Sequence, residues 1–359
     1  MQIAIPYMQL RGGSSKGLFF KASDLPADEA ERNKIIIAAM EGVGHGDPRQ
    51  IDGLGGATPL TSKVAIISLS EKKEADLDYL FLQVVVGKGQ VSDTQNCGNI
   101  LAGVVPFALE SGMIKANDTI TTVRVNMVNT GSVCEIIVET PGGQVNYAGT
   151  TKIDGVKGSA APIICNYEGI AGSTCGSLLP TGNVKDMVNG VAVTCIDNGM
   201  PVVLLRSVDL GVSGYESPSE LNANELLKNK LESIRLAIGE KMNLGNVKDK
   251  TVPKMCIISP PLQGGTINTR TFLPQVCHEA IGVLGAISVG TACLLKGSIT
   301  DGMAKINNEK TLSIEHPSGE FTIHLNITVT ENKITVHKAG VIRTARLLSK
   351  GHVFIPEII

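Results

Sequence analysis

The sequence predicts an α+β protein of two similar halves, each a set of strands wrapped around one apolar helix. Two observations carry this. Residues 100–109 read Ile-Leu-Ala-Gly-Val-Val-Pro-Phe-Ala-Leu, and residues 280–295 form a second uncharged run rich in Ala and Gly. A helix that is apolar all round has no face for water, so each must be enclosed by other structure. Both runs follow strand-like segments and a polar entry that holds a cysteine: Asn96-Cys97-Gly98-Asn99 in the first half, Pro274-Gln275-Val276-Cys277-His278-Glu279 in the second. This recurrence suggests two copies of one architecture.

Composition sets the bounds. Hydrophobic residues make up 43% of the 359 and charged residues 18%, enough for a sizeable core. There is no apolar run of bilayer-spanning length, and the N-terminus lacks the basic start and apolar core of a signal peptide, so the reading is a cytoplasmic protein. A net charge of −2, 3% aromatics and no Trp give no reason to expect nucleic acid. The eight cysteines are dispersed with no C-x-x-C pair, which suggests reduced, mostly buried thiols. No metal-ligand spacing or nucleotide fingerprint is present, so no cofactor or metal is expected.

In chain order, residues 3–10 read as a strand ending in Arg11-Gly12-Gly13-Ser14-Ser15-Lys16-Gly17. That loop offers amides, hydroxyls and two cations to an anion, without the Walker A spacing; a hairpin with solvated charges reads equally well. A helix is predicted over residues 28–41, with Ile35, Ile36, Ala39 and Met40 as its apolar face. His45 follows in a loop and stays unassigned. Lys63 then stands where a glycine-rich stretch (Ile51-Asp52-Gly53-Leu54-Gly55-Gly56) and Thr61-Ser62 enter the apolar strand 64–67. Partial desolvation there would make a lysine a usable base. Local sequence by itself favours the plainer reading, an edge lysine whose stem packs while its ammonium reaches water. Residues 79–86 form the next strand. The buried helix follows, with Gly112 as its C-terminal glycine and Pro106 expected to kink it, eased by the small Ala102 and Gly103. Cys97 sits at its N-terminus, where free N–H groups and the dipole favour anions and a thiolate.

Strands are predicted over residues 121–128, 132–139 and 144–148, with Pro141-Gly142-Gly143 turning the last pair. Pro180-Thr181-Gly182-Asn183 marks the candidate boundary. It gives an N-terminal domain of residues 1–183 and a C-terminal domain of 184–343, with 344–359 free to return to the first. The second half opens with strand 191–196, the turn Asp197-Asn198-Gly199-Met200-Pro201 and strand 202–205. An amphipathic helix over 222–244 follows, with Leu226, Leu227, Leu231, Ile234 and Ile238 on one side. Strands 255–259 and 266–273 (holding Arg270) precede the second apolar helix, and strands 311–314, 321–328, 334–337 and 341–348 close the chain. Two helix N-termini facing one cleft would suit a substrate with several carboxylates.

Four motifs in order, Arg11-Gly12-Gly13-Ser14-Ser15-Lys16-Gly17, Ile51-Asp52-Gly53-Leu54-Gly55-Gly56, Thr61-Ser62-Lys63-Val64-Ala65-Ile66 and Asn96-Cys97-Gly98-Asn99, resemble the PrpF family along essentially the whole chain. Thr194-Cys195-Ile196-Asp197-Asn198-Gly199-Met200-Pro201 and Glu315-His316-Pro317-Ser318-Gly319 resemble its 4-oxalomesaconate branch. The resemblance implies the diaminopimelate-epimerase-like fold: two similar domains, each a curved, mostly antiparallel sheet rolled around a central helix, with the active site in the cleft between them. It implies a cofactor-independent isomerase that moves a proton 1,3 in an unsaturated tricarboxylate. The substrate expected is 4-oxalomesaconate, in aromatic-acid breakdown; the alternatives are 2-methylaconitate in propionate metabolism and a non-catalytic carboxylate-binding protein. The implied catalytic pair is Lys63 and Cys97. Substrate contacts are expected from Arg11, Gly13, Ser14, Ser15, Ser62, Asn96, Gly98, Asn99, Arg270 and His278. Cys277 stands before the second helix, but its Cys-His-Glu setting departs from the epimerase pattern. No membrane or nucleic-acid partner is expected, and a homodimer is left open.

Overall fold

The computed structural model describes every residue except Gly44, His45, Thr94, Gln95, Asp249, Glu331, Asn332, Ile358 and Ile359, and leaves out the side chains of Val329, Lys333 and Ile334. His45 and part of the polar run before Asn96 therefore lie outside the described residues. The chain divides into two compact units, residues 1–168 with 342–359, and residues 169–341. The division precedes the turn at 180–183 because residues 169–179 are bonded to the strand that follows. Asp197 accepts from the Thr174 and Cys175 amides at 2.8 and 2.7 Å. Its backbone also exchanges bonds with Gly172 and Leu178.

The first unit contains, in order, β1 (Gln2–Gly12), β2 (Ser15–Lys21), α1 (Glu29–Glu41), β3 (Lys63–Leu69), β4 (Leu77–Val85), β5 (Gln90–Ser92), α2 (Gly98–Leu101), α3 (Val104–Glu110), β6 (Thr119–Met127), β7 (Ser132–Thr140) and β8 (Pro162–Glu168). The second contains β9 (Asp186–Val188), β10 (Val191–Asp197), β11 (Pro201–Arg206), α4 (Ser207–Leu210), α5 (Pro218–Ala223), α6 (Glu225–Gly239), β12 (Lys254–Ser259), β13 (Ile267–Phe272), α7 (Val283–Cys293), β14 (Thr311–His316) and β15 (Gly319–Thr330). The last strand, β16 (Lys333–Pro356), begins in the second unit against β15 and ends in the first against β1.

The two units repeat one connectivity. In the first, the hairpins β1–β2, β3–β4 and β6–β7 are joined by the parallel pairs β2–β3 and β4–β6. In the second, β10–β11, β12–β13 and β14–β15 are joined by β11–β12 and β13–β14. A parallel pair needs a crossover, and helices supply it. β16 adjoins β8 and also pairs with β1, so the first unit's strand order closes on itself.

Each sheet has one helix group on either face. In the first unit Ile35, Ile36, Ala39 and Met40 of α1 pack on Leu18, Phe20, Val64, Ile66, Leu82 and Val84. Full burial of the Ile, Leu, Val, Phe and Met side chains among these stabilises by roughly 1.5–3 kcal/mol each. The alternate residues face α2 and α3: Phe19 meets the Phe107 ring at 5.8 Å. Covering both faces explains why β4 alternates poorly in sequence. In the second unit Leu227, Leu231, Ile234 and Ile238 of α6 pack on Val193, Cys195, Val203, Leu205, Met255 and Ile257. α7 lies against β10, β11, β14 and β15.

The structure departs from the sequence reading at four elements. The first apolar helix is broken after one turn, at Ala102 and Gly103. A β-carbon on Gly103 would stand 2.6 Å from the Phe19 ring, so glycine is required there. Pro106, in the first turn of α3, has no N–H to give the Ala102 carbonyl, so the break falls where its expected kink removes a helical hydrogen bond. Residues 144–148 form a loop, not a strand, because Asn146 folds back on Glu139 through both its amide and its side chain, each at 2.9 Å. The 222–244 helix is two helices, since the Asn224 side chain accepts from Leu227 N and caps a fresh start. β16 is one strand where two were expected.

Candidate active site

Lys63 is the first residue of β3, directly opposite Gln83 on β4 and Gly17 on β2. It lies on the sheet face that holds α2 and is 7% exposed. Its Nζ donates to Gln83 Oε1 at 2.8 Å and sits 5.1 Å from the centre of the Phe81 ring. Gln83 is itself fixed. Its Nε2 donates to the carbonyls of Pro59, Ser62 and Val84 at 3.2, 2.9 and 3.1 Å, which leaves Oε1 turned to the lysine. Among the described residues the ammonium therefore has a neutral acceptor and an aromatic face, and no carboxylate. Ser62, fully buried beside it, donates to Gln50 Oε1 at 2.8 Å.

Cys97 is the residue before α2, and its side chain makes no capping bond. Its carbonyl accepts from Leu101 N at 3.0 Å and from the Tyr79 hydroxyl at 3.3 Å. Burial, then the neighbouring thiol, raises the Tyr79 phenol well above its ordinary value. Of the eight cysteines Cys97 alone is not buried. Because α2 is a single turn, the long-helix dipole expected at Cys97 is reduced to a few free N–H groups, those of Gly98 and its neighbours. No hydrogen bond joins Cys97 to Lys63 among the described residues.

The β1–β2 turn presses on this helix start. Asn99 Nδ2 donates to Ser14 Oγ at 3.2 Å. Gly12 lies on the Asn99 carbonyl, and Gly13, at φ +53°, lies on the Asn99 side chain, so neither position has room for a β-carbon. A β-carbon on Gly17 would meet the Lys63 carbonyl and lie 3.2 Å from Ile100 Cδ1, which ties the lysine and α2 to one hairpin. The Ser15 hydroxyl is buried without a partner among the described residues. Asn96 Nδ2 donates to Thr130 Oγ1 at 2.6 Å, and its Oδ1 is buried with no partner among the described residues.

Arg11 is placed differently. Gly12 and Ser15 face α2, so Arg11 and Lys16, one residue out of phase, face the other side of the sheet. Arg11 Nη1 donates to Gly13 O at 2.7 Å and to the Thr344 carbonyl and hydroxyl at 3.0 Å each.

In the second unit Arg270 is buried in β13, and its guanidinium is occupied by Glu216 O, Tyr215 O, Thr269 O and Asn268 Oδ1 at 2.7–3.1 Å. His278 Nδ1 accepts from Ala280 N at 2.7 Å. Cys277 lies in the apolar cluster under α6, with burial pushing its thiol up to about 11. It is five residues short of Gly282, which caps α7, so the match between the two helix entries does not extend to a cysteine at the second.

Sequence reading missed Tyr79, Phe81 and Gln83. They alternate along β4 and so share a face, and a glutamine two residues beyond two aromatics was the available signal.

Among the described residues no three His, Cys, Asp or Glu side chains converge as a metal would need, and no helix is long and apolar enough to cross a membrane. A family model described as "PrpF protein" matches residues 2–356. The chain is 53% identical over 356 residues to the 4-oxalomesaconate tautomerase of Pseudomonas putida, covering 99% of this chain and 97% of that one. It is 53% identical over 352 residues to the (4E)-oxalomesaconate Delta-isomerase of Novosphingobium sp., covering 98% and 97%. A crystal structure of methylitaconate-delta-isomerase superposes with a TM-score of 0.86 at 33% identity, covering 99% of this chain and 96% of that one. With the repeated hairpins and central helices described above, the fold is the diaminopimelate-epimerase-like α+β fold, and the chain belongs to the PrpF family.

Proposed function

We propose that the chain is an isomerase of 4-oxalomesaconate that moves a proton 1,3 between carbons conjugated to carboxyl and keto groups. The observation that carries this is its near-full-length identity of 53% with two oxalomesaconate enzymes. A proton next to such a system is acidified because the anion left behind delocalises as a dienolate. The protein must hold the carboxylates, take the proton, stabilise the dienolate and return the proton elsewhere.

Lys63 is the proposed proton carrier. Its ammonium is held by a neutral amide, so releasing the proton strands no partner carboxylate. Cys97, the accessible thiol at the α2 entry, is proposed to share the transfer or to orient the substrate. Ser14, Asn96, Asn99 and the Gly98 amide offer donors for carboxylates around it.

The test is turnover of 4-oxalomesaconate in deuterated water, followed by NMR. Label should enter the isomerised carbon, and Lys63→Met should lose roughly 10²–10⁴-fold in rate. Turnover of 2-methylaconitate with none of oxalomesaconate would overturn the substrate. No label from either acid would leave a binding protein, and a near-normal Lys63→Met would remove the lysine from the chemistry.

A further inference from the structure

On the first unit, away from Lys63 and Cys97, lies a cleft of about 410 Å³ whose lining includes Arg11, Lys16, Lys157 and Arg346 and no carboxylate. That volume suits a small molecule. Three of the cations form a row. Lys16 is directly opposite Arg11 on β2, and Arg346 directly opposite Arg11 on β16, so all three stand on one face of adjacent strands. Like charges placed directly opposite destabilise a sheet. None of the four cations is in an ion pair with any described residue. Among the described residues, only Nη1 of the three Arg11 guanidinium nitrogens is engaged, and only by neutral oxygens. Burial and Arg346 both disfavour the charge on Arg11. The fourth cation, Lys157, comes from the loop that replaced the expected strand at 144–148, and Ser159 adds a hydroxyl.

We propose that this cleft is an anion site for a small molecule bearing at least two carboxylate or phosphate groups, separate from the proton-transfer site. A sheet that carries three cations in register, none in an ion pair with a described residue, is complete when an anion lies across them. Bidentate oxygens suit the free edge of Arg11, and a second anionic group reaches Lys157 on the loop. The site also touches the catalytic face. Gly155 of the same loop lies so that its β-carbon would be 3.1 Å from Ser14 Cβ, and Ser14 bonds Asn99 at the start of α2. An anion drawing the loop onto the sheet would press on that contact.

The experiment is isothermal titration of the full chain with tricarballylate and, separately, with pyrophosphate, at low and moderate salt. Wild type is compared with Arg346→Gln/Lys157→Gln. Loss of two charge-assisted contacts should weaken binding of the preferred anion roughly a hundredfold, about tenfold for each. The wild-type affinity should fall as salt rises. Which anion responds identifies a carboxylate or a phosphate ligand. In anion-free buffer the double variant should melt no lower than wild type, because the change relieves repulsion. Equal affinity for both anions in the two proteins overturns the site. A lowered melting temperature with unchanged binding also overturns it, since the cations would then be structural.

Discussion

The Lys63–Gln83 bond can be tested by a double-mutant cycle. Gln83→Leu keeps the bulk and removes the acceptor at 2.8 Å from the ammonium. A hydrogen bond to a charged group contributes roughly 1.5–3 kcal/mol, and stranding a buried charge costs at least as much. The Phe81 ring remains as a partial substitute, worth about 0.5–1 kcal/mol. Of the three carbonyls that lose a donor, Ser62 O keeps the Val84 amide at 3.0 Å. The single variant should therefore lose about 2–3 kcal/mol. Lys63→Met strands only the neutral Gln83 Oε1 and should lose less, about 1–2 kcal/mol. The double variant replaces both partners with apolar groups and should lose clearly less than the sum, with a coupling energy of about 1.5–3 kcal/mol. Urea unfolding at pH 7, analysed by linear extrapolation, gives all four corners. Additivity to within about 0.5 kcal/mol would mean the bond contributes nothing and the geometry at Lys63 is misread. Turnover adds a second readout: Gln83→Leu should keep more activity than Lys63→Met, because the lysine is still present.

Brief iodoacetamide treatment should label Cys97 first, since the other cysteines are buried. Among them Cys277 is pushed up to about 11, and Cys175, Cys256 and Cys293 to about 12. Thiolate is the reacting form, so peptide mapping that finds another cysteine labelled ahead of it contradicts the site geometry. Gly13→Ala should lose about 2–3 kcal/mol, from the left-handed backbone and the displaced Asn99, and should lower turnover; Gly131→Ala, also at positive φ but with open space around it, should lose only about 1–2 kcal/mol. Equal losses in thermal or urea melts would show that Asn99 does not feel Gly13. Lys254 is held down to about 8, from 10.5, by burial and then by Arg235. Between those values the unfolded chain binds more protons than the folded one, so stability rises with pH across that window and is reduced below it. Lys254→Met should thus be more stable than wild type at pH 7, by at most about 3 kcal/mol, and the advantage should vanish by about pH 10.5. An advantage that does not change with pH would refute the charge-burial account.

What the sequence determined is whatever depends on neighbours in the chain. Period-2 runs placed most strands, and the 3.6 period placed α1 and the apolar face of α6, because side-chain direction repeats with the backbone. Uncharged stretches marked α3 and α7 as enclosed, because a helix without a polar face cannot border water. The motifs around Lys63 and Cys97 were equally local. Tertiary structure decided what depends on residues brought together from afar. Gln83 is opposite Lys63 only through the β3–β4 register. Position 103 must be glycine because Phe19, from β2, occupies the space of a β-carbon. The sequence reads Arg11 as part of an anion-binding loop and as a substrate contact. Arg11 faces away from α2 because Gly12, the next residue on the strand, is the one that lies on the Asn99 carbonyl, and successive residues of a strand point to opposite faces. Its companion Arg346 comes from the last strand, 335 positions later, so no local pattern could have set the two side by side. A one-residue change of phase reverses the face of every side chain in a strand, and only the closed set of pairings fixes that phase.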